Sequence, residues 1–236
     1  MRNFFITGTD TDVGKTFVTC ALIEAFAARG IRAVPMKPIA AGTISADGIS
    51  VNADVATLRE VSGSKAALAD INPYCYSEPI APHLAAQHEN VPIDMAVIHA
   101  AFDRLNADAD TVLVEGAGGF LVPLSLNQSM AEIPIVLDLD VILVVSMRLG
   151  VLNHALLTVE AILARRLTLA GWVANTAAAG KPMLAFDENI AALARLIEAP
   201  MLGTLPYDAL SNSNTLVRAY RASNHLQIET LMEENR

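Results

Sequence analysis

The chain has 236 residues, 53% of them hydrophobic and 17% charged, which suits one large α/β domain with a substantial core and argues against disorder. A net charge of −9 and the lack of any basic run weigh against nucleic acid as a partner, because phosphate neutralisation dominates such affinity. The apolar stretch at Val141–Val145, bounded by Asp140 and Arg148, is far short of the ~20 residues of a membrane-spanning helix, while an N-terminus unlike a signal peptide and two distant cysteines, Cys20 and Cys75, point to a cytoplasmic protein with reduced thiols.

In chain order, Asn3–Thr7 reads as a short apolar strand, followed by a Gly/Thr/Asp loop and a helix over Lys15–Arg29 that stops at Gly30. Arg32–Lys37 reads as a second strand, with Pro35 poorly suited to its middle. Helices are predicted over Asn52–Val61 and Ile93–Asn106, the latter with Val97, Ala101 and Leu105 at spacing four. Thr111–Val114 and Val141–Val145 read as buried strands. Then come a helix over Leu152–Leu163, a strand over Leu169–Ala174, a helix over Phe186–Ile197 and a strand over Met201–Leu205. Beyond Glu229 a polar tail is expected to fray. No repeat or linker divides the chain. Strands alternating with helices imply a parallel sheet, whose ligands collect at the carboxyl ends of the strands.

The most informative segment is Gly8-Thr9-Asp10-Thr11-Asp12-Val13-Gly14-Lys15-Thr16. It follows a strand and opens a helix, the context of a phosphate-binding loop. Backbone N–H groups there face an anion, and the helix dipole adds positive potential. Lys15 would neutralise the terminal phosphates of a nucleotide, and the Thr16 hydroxyl would take one position on Mg²⁺. The spacing is one residue off the usual pattern, since five residues rather than four separate Gly8 from Gly14.

Other residues can reach the same sheet edge. Glu115 ends the apolar run Val112-Leu113-Val114 and is followed by Gly116-Ala117-Gly118-Gly119; it could bind Mg²⁺ or simply be an exposed strand-end acid. Lys37 ends the second strand and could stabilise a transferring phosphoryl group, or be a solvated lysine. Asp54, near a helix start, suits a cap-region charge or a ligand. Arg148–Asn153 could bind an anion through backbone N–H groups or be a plain βα turn. His83 and His88, five apart, do not share a helix face as a metal pair would.

Taken together and in order, GTDTDVGKT (8–16), KPIAAG (37–42), NAD (52–54), NPY (72–74), EPIAPH (78–83), LVEGAGG (113–119), LGVLNHA (149–155), LAGWVAN (169–175) and LGTLP (202–206) resemble the dethiobiotin synthetases. The resemblance implies a single P-loop NTPase-like α/β domain over residues 1–225, with a mostly parallel seven-stranded sheet covered by helices on both faces, and a polar tail over 226–236. It implies a homodimeric ligase of biotin biosynthesis that uses ATP, Mg²⁺ and CO₂ to convert 7,8-diaminononanoate to dethiobiotin. Thr16, Asp54 and Glu115 would be the Mg²⁺ ligands, and Lys37 the catalytic lysine with Lys15 beside it. Asp12, Val13, Gly14, Lys15 and Thr16 would cradle the phosphates, with Gly116, Ala117 and Gly118 alongside. Asn175, Thr176, Thr204, Leu205 and Pro206 would hold adenine. Thr11, Asp12, Lys37, Ala41, Pro79 and Gly118 would meet the diamine, and Gly150, Val151, Leu152 and Asn153 would receive its carboxylate across the dimer interface. Asp12 stands where the family usually has Glu, and Ala41 where it usually has Ser or Thr; both departures touch the substrate side.

Two other classes are weighed against this. A nucleotide switch of the chromosome-partition type usually carries a second lysine early in its phosphate loop, where this chain has Thr, Asp, Thr, Asp and Val. A glutamine-dependent amidotransferase would need a further domain of ~100–200 residues.

Overall fold

The structure, a computed structural model, describes residues 2–46, 49–176, 183–206 and 214–233. Its elements in chain order are β1 (Phe4–Gly8), α1 (Lys15–Ala27), β2 (Ala33–Met36), β3 (Ile39–Ala41), β4 (Ile44–Ala46), β5 (Ile49–Val51), α2 (Ala53–Ser62), α3 (Leu68–Ile71), β6 (Tyr74–Tyr76), α4 (Pro82–Glu89), α5 (Met95–Asn106), β7 (Thr111–Glu115), α6 (Glu132–Val136), β8 (Asp140–Ser146), α7 (Val151–Leu163), β9 (Leu169–Asn175), α8 (Phe186–Leu196), β10 (Met201–Leu205), α9 (Thr215–Ser223) and α10 (Glu229–Met232).

Strand residues alternate between two apolar layers, as a period of two requires. Phe4 and Ile6 join one core cluster while Phe5 joins the other; Ile142 and Val144 separate from Val141, Leu143 and Val145 in the same way. A sheet buried on both faces is therefore what these continuous apolar runs encode. The strand order is β10-β9-β8-β1-β7-β2, and every pairing is parallel. This is the layered α/β architecture predicted from the sequence. Among the described residues the main sheet holds six strands rather than seven. Beyond β2 the chain leaves that sheet: the Lys37 N–H donates to Ile71 O (2.7 Å), Pro38 has no N–H to offer, and β3 pairs in parallel with β6 instead. Pro35 sits in β2, which among the described residues pairs only with β7 and is thus an edge strand, where proline is tolerated.

Helix α1 is apolar on nearly every side, with Val18, Cys20, Leu22, Ile23 and Phe26 all buried. Such a helix must be covered all round: β1 lies on one side, and α2 and α9 on others. Predicted boundaries differ from the observed ones by a residue or two, the usual ambiguity of element ends. Of the stretch beyond Glu229 expected to fray, residues 230–233 are described, and they join a docked segment. Leu226, Ile228 and Leu231 are buried in the α1 layer, Leu231 at 0% exposure, and Gln227 N–H donates to Leu202 O (2.7 Å). Glu229 pairs with Arg29. Three apolar residues in a polar stretch suffice to dock it.

Candidate active site

The strand order puts the chemistry at one edge. Ile6 of β1 is in register with Glu115, and Val114 is in register with Met36 of β2. Gly8, Glu115 and Lys37 therefore leave three adjacent strands at the same end. The phosphate loop departs from Gly8, where a Cβ would collide with Val13 Cγ2. Gly14 caps α1 at φ 88°, a left-handed conformation that favours glycine. Asp12 also has a positive φ, 56°, which Asp tolerates better than most residues. Asn175, at the end of β9, donates from Nδ2 to Val13 O (2.8 Å). The Lys15 ammonium turns back on the loop and donates to Asp10 O (2.9 Å). Burial is the main cause that lowers its pKa to about 8; Glu115 pulls it up and Lys37 pushes it down.

Lys37, 4% exposed, and Glu115, 0% exposed, form the centre of the site. Lys37 Nζ donates to Glu115 Oε1 (2.6 Å) and to Asp54 Oδ2 (2.7 Å). Thr16 Oγ1 also donates to Glu115 Oε1 (2.8 Å). Burial alone would lower the Lys37 pKa, but the two carboxylates more than reverse this and hold it above its ordinary value. Burial would raise the Asp54 pKa, and Lys37 overturns that, so the carboxyl sits below its usual range. Asp54 is set in the first turn of α2, which Asn52 caps by accepting from Asp54 N–H (3.0 Å). The same Asn52 amide donates to Gly42 O (2.8 Å), tying the chain after β3 to the helix that carries Asp54.

These residues fit a divalent cation. Glu115 Oε2 is buried without a hydrogen-bond partner, an acceptor in need of a donor or a cation. Among the described residues no three His, Cys, Asp or Glu side chains converge. The set is two carboxylates and a hydroxyl, which suits Mg²⁺ held jointly with phosphate and water oxygens.

A cleft of about 860 Å³ opens over this cluster. Of the residues singled out from the sequence, Thr11, Asp12, Gly14, Lys15, Thr16, Lys37, Ala41, Asp54, Pro79, Glu115, Ala117, Gly118, Asn175, Thr176 and Pro206 line it. Val13 lies beneath the loop, 1% exposed, and a Cβ on Gly116 would meet Phe5 Cζ at 2.8 Å. Thr204 and Leu205 belong to β10 below the cleft, with only Pro206 at its wall. Gly150, Val151, Leu152 and Asn153 lie outside the cleft of their own chain; Gly150 and Asn153 face solvent. Sequence reasoning gave no role to Asn52, Asn72, Phe17, Ile80, Pro82 or Arg218. Asn72 donates from Nδ2 to Lys37 O (2.7 Å) and Tyr74 O (2.9 Å), clamping the backbone that presents Lys37. The only signal for it was an asparagine ahead of Pro73.

The AAA domain family model AAA_26 matches residues 2–215. The ATP-dependent dethiobiotin synthetase BioD of Aromatoleum aromaticum is 53% identical over 208 residues, covering 88% of this chain and 92% of that protein. This chain belongs to the dethiobiotin synthetase family. Its similarity extends to the synthetases of Nitrosospira multiformis, 48% identical over 88% of this chain and 89% of that one, and of Ralstonia nicotianae, 45% identical over 86% and 87%. Among solved structures, the MinD cell division protein of Aquifex aeolicus superimposes with a TM-score of 0.58 at 14% identity, covering 100% of this chain and 98% of that one. A ParA family ATPase from Chlorobium tepidum gives 0.54 at 13%, covering 96% and 100%. These two likenesses speak for the fold alone.

Proposed function

We infer that this dethiobiotin synthetase family member is an ATP-dependent ligase that joins CO₂ to 7,8-diaminononanoate and closes the ureido ring of dethiobiotin, releasing ADP and phosphate. The observation that carries this reading is the meeting of Lys37 with Glu115 and Asp54 beside the phosphate loop, in a chain 53% identical to a curated synthetase.

The chemistry divides into three stages. One substrate amine adds to CO₂ and loses a proton, giving a carbamate. A carbamate oxygen attacks the γ-phosphorus of ATP and the bond to the β-phosphate oxygen breaks, leaving ADP and a mixed carbamic–phosphoric anhydride. The second amine then attacks the carbamoyl carbon, loses a proton and expels inorganic phosphate. Phosphoryl transfer asks the protein for position and charge rather than covalent chemistry. Lys15 supplies charge from the start of α1 and Lys37 from just beyond β2, against the negative charge of the transferring group. Ring closure joins groups already on one molecule, so holding them in line contributes strongly, up to ~7–11 kcal/mol in ideal cases.

Thr16, Asp54 and Glu115 would hold Mg²⁺, which neutralises phosphate charge when bound. Lys37, which donates to both carboxylates, would present its ammonium to the carbamate and the transferring phosphoryl group. We further propose a cytoplasmic homodimer in which the Gly150–Asn153 turn of one protomer receives the substrate carboxylate at its partner's cleft. The solvent-facing Gly150 and Leu149, and the position of this turn outside its own cleft, support that arrangement. Closing the cleft from the partner side would keep water from the anhydride.

The test is product formation. Mass spectrometry should find dethiobiotin, and ADP release should require both the diamine and bicarbonate. ATP hydrolysis at the same rate without diamine would overturn the reading.

A further inference from the structure

Among the described residues Arg218 is a cation in the cleft without a hydrogen-bond acceptor. It projects from α9, which packs on α1 through Ala219, Ala222 and Ser223, and it lines the cleft together with Phe17, Thr176 and Pro206. Its guanidinium carbon lies 5.3 Å from the centroid of the Phe17 ring, so the aromatic face supports the cation from one side. Its Nε is buried and has no hydrogen-bond partner. Among the described residues no carboxylate or carbonyl answers this side chain. A buried donor of this kind is costly unless something accepts from it.

Position identifies the acceptor. Phe17 directly follows Lys15 and Thr16, which serve the terminal phosphates and the cation. Asn175, Thr176 and Pro206 stand at the other end, where the base is expected. A group above Phe17 therefore faces the middle of the nucleotide. The planar fork of Arg, already held by the ring, suits a phosphate oxygen pair there. We propose that Arg218 is a nucleotide-binding residue that donates to the α-phosphate of ATP, held in place by stacking on Phe17. This rests on the ATP-dependent reading above. It adds a contact from α9 that neither the phosphate loop nor the strand ends provide.

The experiment measures affinities of the full chain, wild type and R218M, for MgATP, ADP, AMP and adenosine by calorimetry, with weak ligands read by competition. Methionine keeps the aliphatic packing and removes the fork. The expected result is a loss of at least about tenfold, the usual weight of a charge-assisted hydrogen bond, alike for ATP, ADP and AMP, with adenosine unchanged. R218K should recover part of the loss by charge alone, and serves as the test variant if R218M does not fold. Unchanged nucleotide affinity in both variants would overturn the proposal. An equal loss for adenosine would place the guanidinium on the base and overturn the α-phosphate assignment. A wild-type chain that bound no MgATP would overturn the enzymatic reading and this inference with it.

Discussion

Two ion-paired regions flank the phosphate loop. Inside, Lys37 joins Glu115 and Asp54 at the ends of adjacent strands, with Glu115 sealed from solvent. Outside, Arg148 pairs with Asp10 (2.8 Å) across two loops, with side chains 55% and 51% exposed. The distances are nearly the same, yet the energetic consequences differ because the surroundings do. In water a charge that loses its partner is rehydrated, so an exposed pair is worth only ~0.2–1 kcal/mol. In the buried cluster a lost partner leaves a charge with nothing to solvate it, and breaking such a pair costs about 3–5 kcal/mol. Distance between charges is thus a poor guide to what a pair does; access of water decides.

Substitutions should separate the two regions. The largest effect is expected from Glu115→Ala, which leaves the buried Lys37 with Asp54 as its remaining carboxylate partner and removes an oxygen donor: unfolding free energy by urea titration should fall by about 3 kcal/mol, the lower end of the cost of breaking a buried pair, and ligase activity should vanish. Lys37→Ala comes next. Turnover should drop at least tenfold, as loss of a transition-state charge partner commonly produces, while nucleotide still binds; steady-state kinetics beside calorimetry would expose a failure of either half. Asn72→Ala removes the clamp on the Lys37 carbonyl. It should cost about 1–3 kcal/mol, the penalty for leaving buried acceptors unanswered, and chemical denaturation beside kcat would show whether Lys37 is mispositioned too. The smallest effect belongs to Arg148→Ala, under ~1 kcal/mol and shrinking further as salt is added. A thermal midpoint falling as far as in Asn72→Ala would break the contrast drawn between the two regions.

Local features were legible in the residues themselves; meetings between distant segments were legible only through the family resemblance, which placed Lys37, Asp54 and Glu115 at one site. The phosphate loop could be read because its strand, its glycines and its helix start are consecutive. The buried strands could be read because continuous apolar runs suit a sheet covered on both faces. That Lys37 and Glu115 touch depends on β7 lying between β1 and β2, an order no residue pattern states. Asn72 acts on Lys37 across 35 positions, and a lone asparagine in a loop carries no sign of its target. The short pairing of β3 with β6 is equally hidden, since strands of three residues leave no periodicity to detect. Docking of the C-terminal segment escaped because Leu226, Ile228 and Leu231 are few among polar neighbours. Arg218 escaped because an arginine on an amphipathic helix reads as a solvated charge.

Helix α1 has a further consequence. Most surface helices can tilt or slide a little, because one flank is free. This one is gripped on nearly every side, so anything mounted on its first turn inherits a fixed frame. Lys15 and Thr16 behave as parts of an anvil rather than of a lever. Misplacement of about 1 Å can cost 10²-fold in rate, and a mount that cannot shift keeps that error small. Any adaptation to an incoming substrate would fall instead to solvent-exposed wall residues such as Pro79 and Ala81, while the phosphate end stays put.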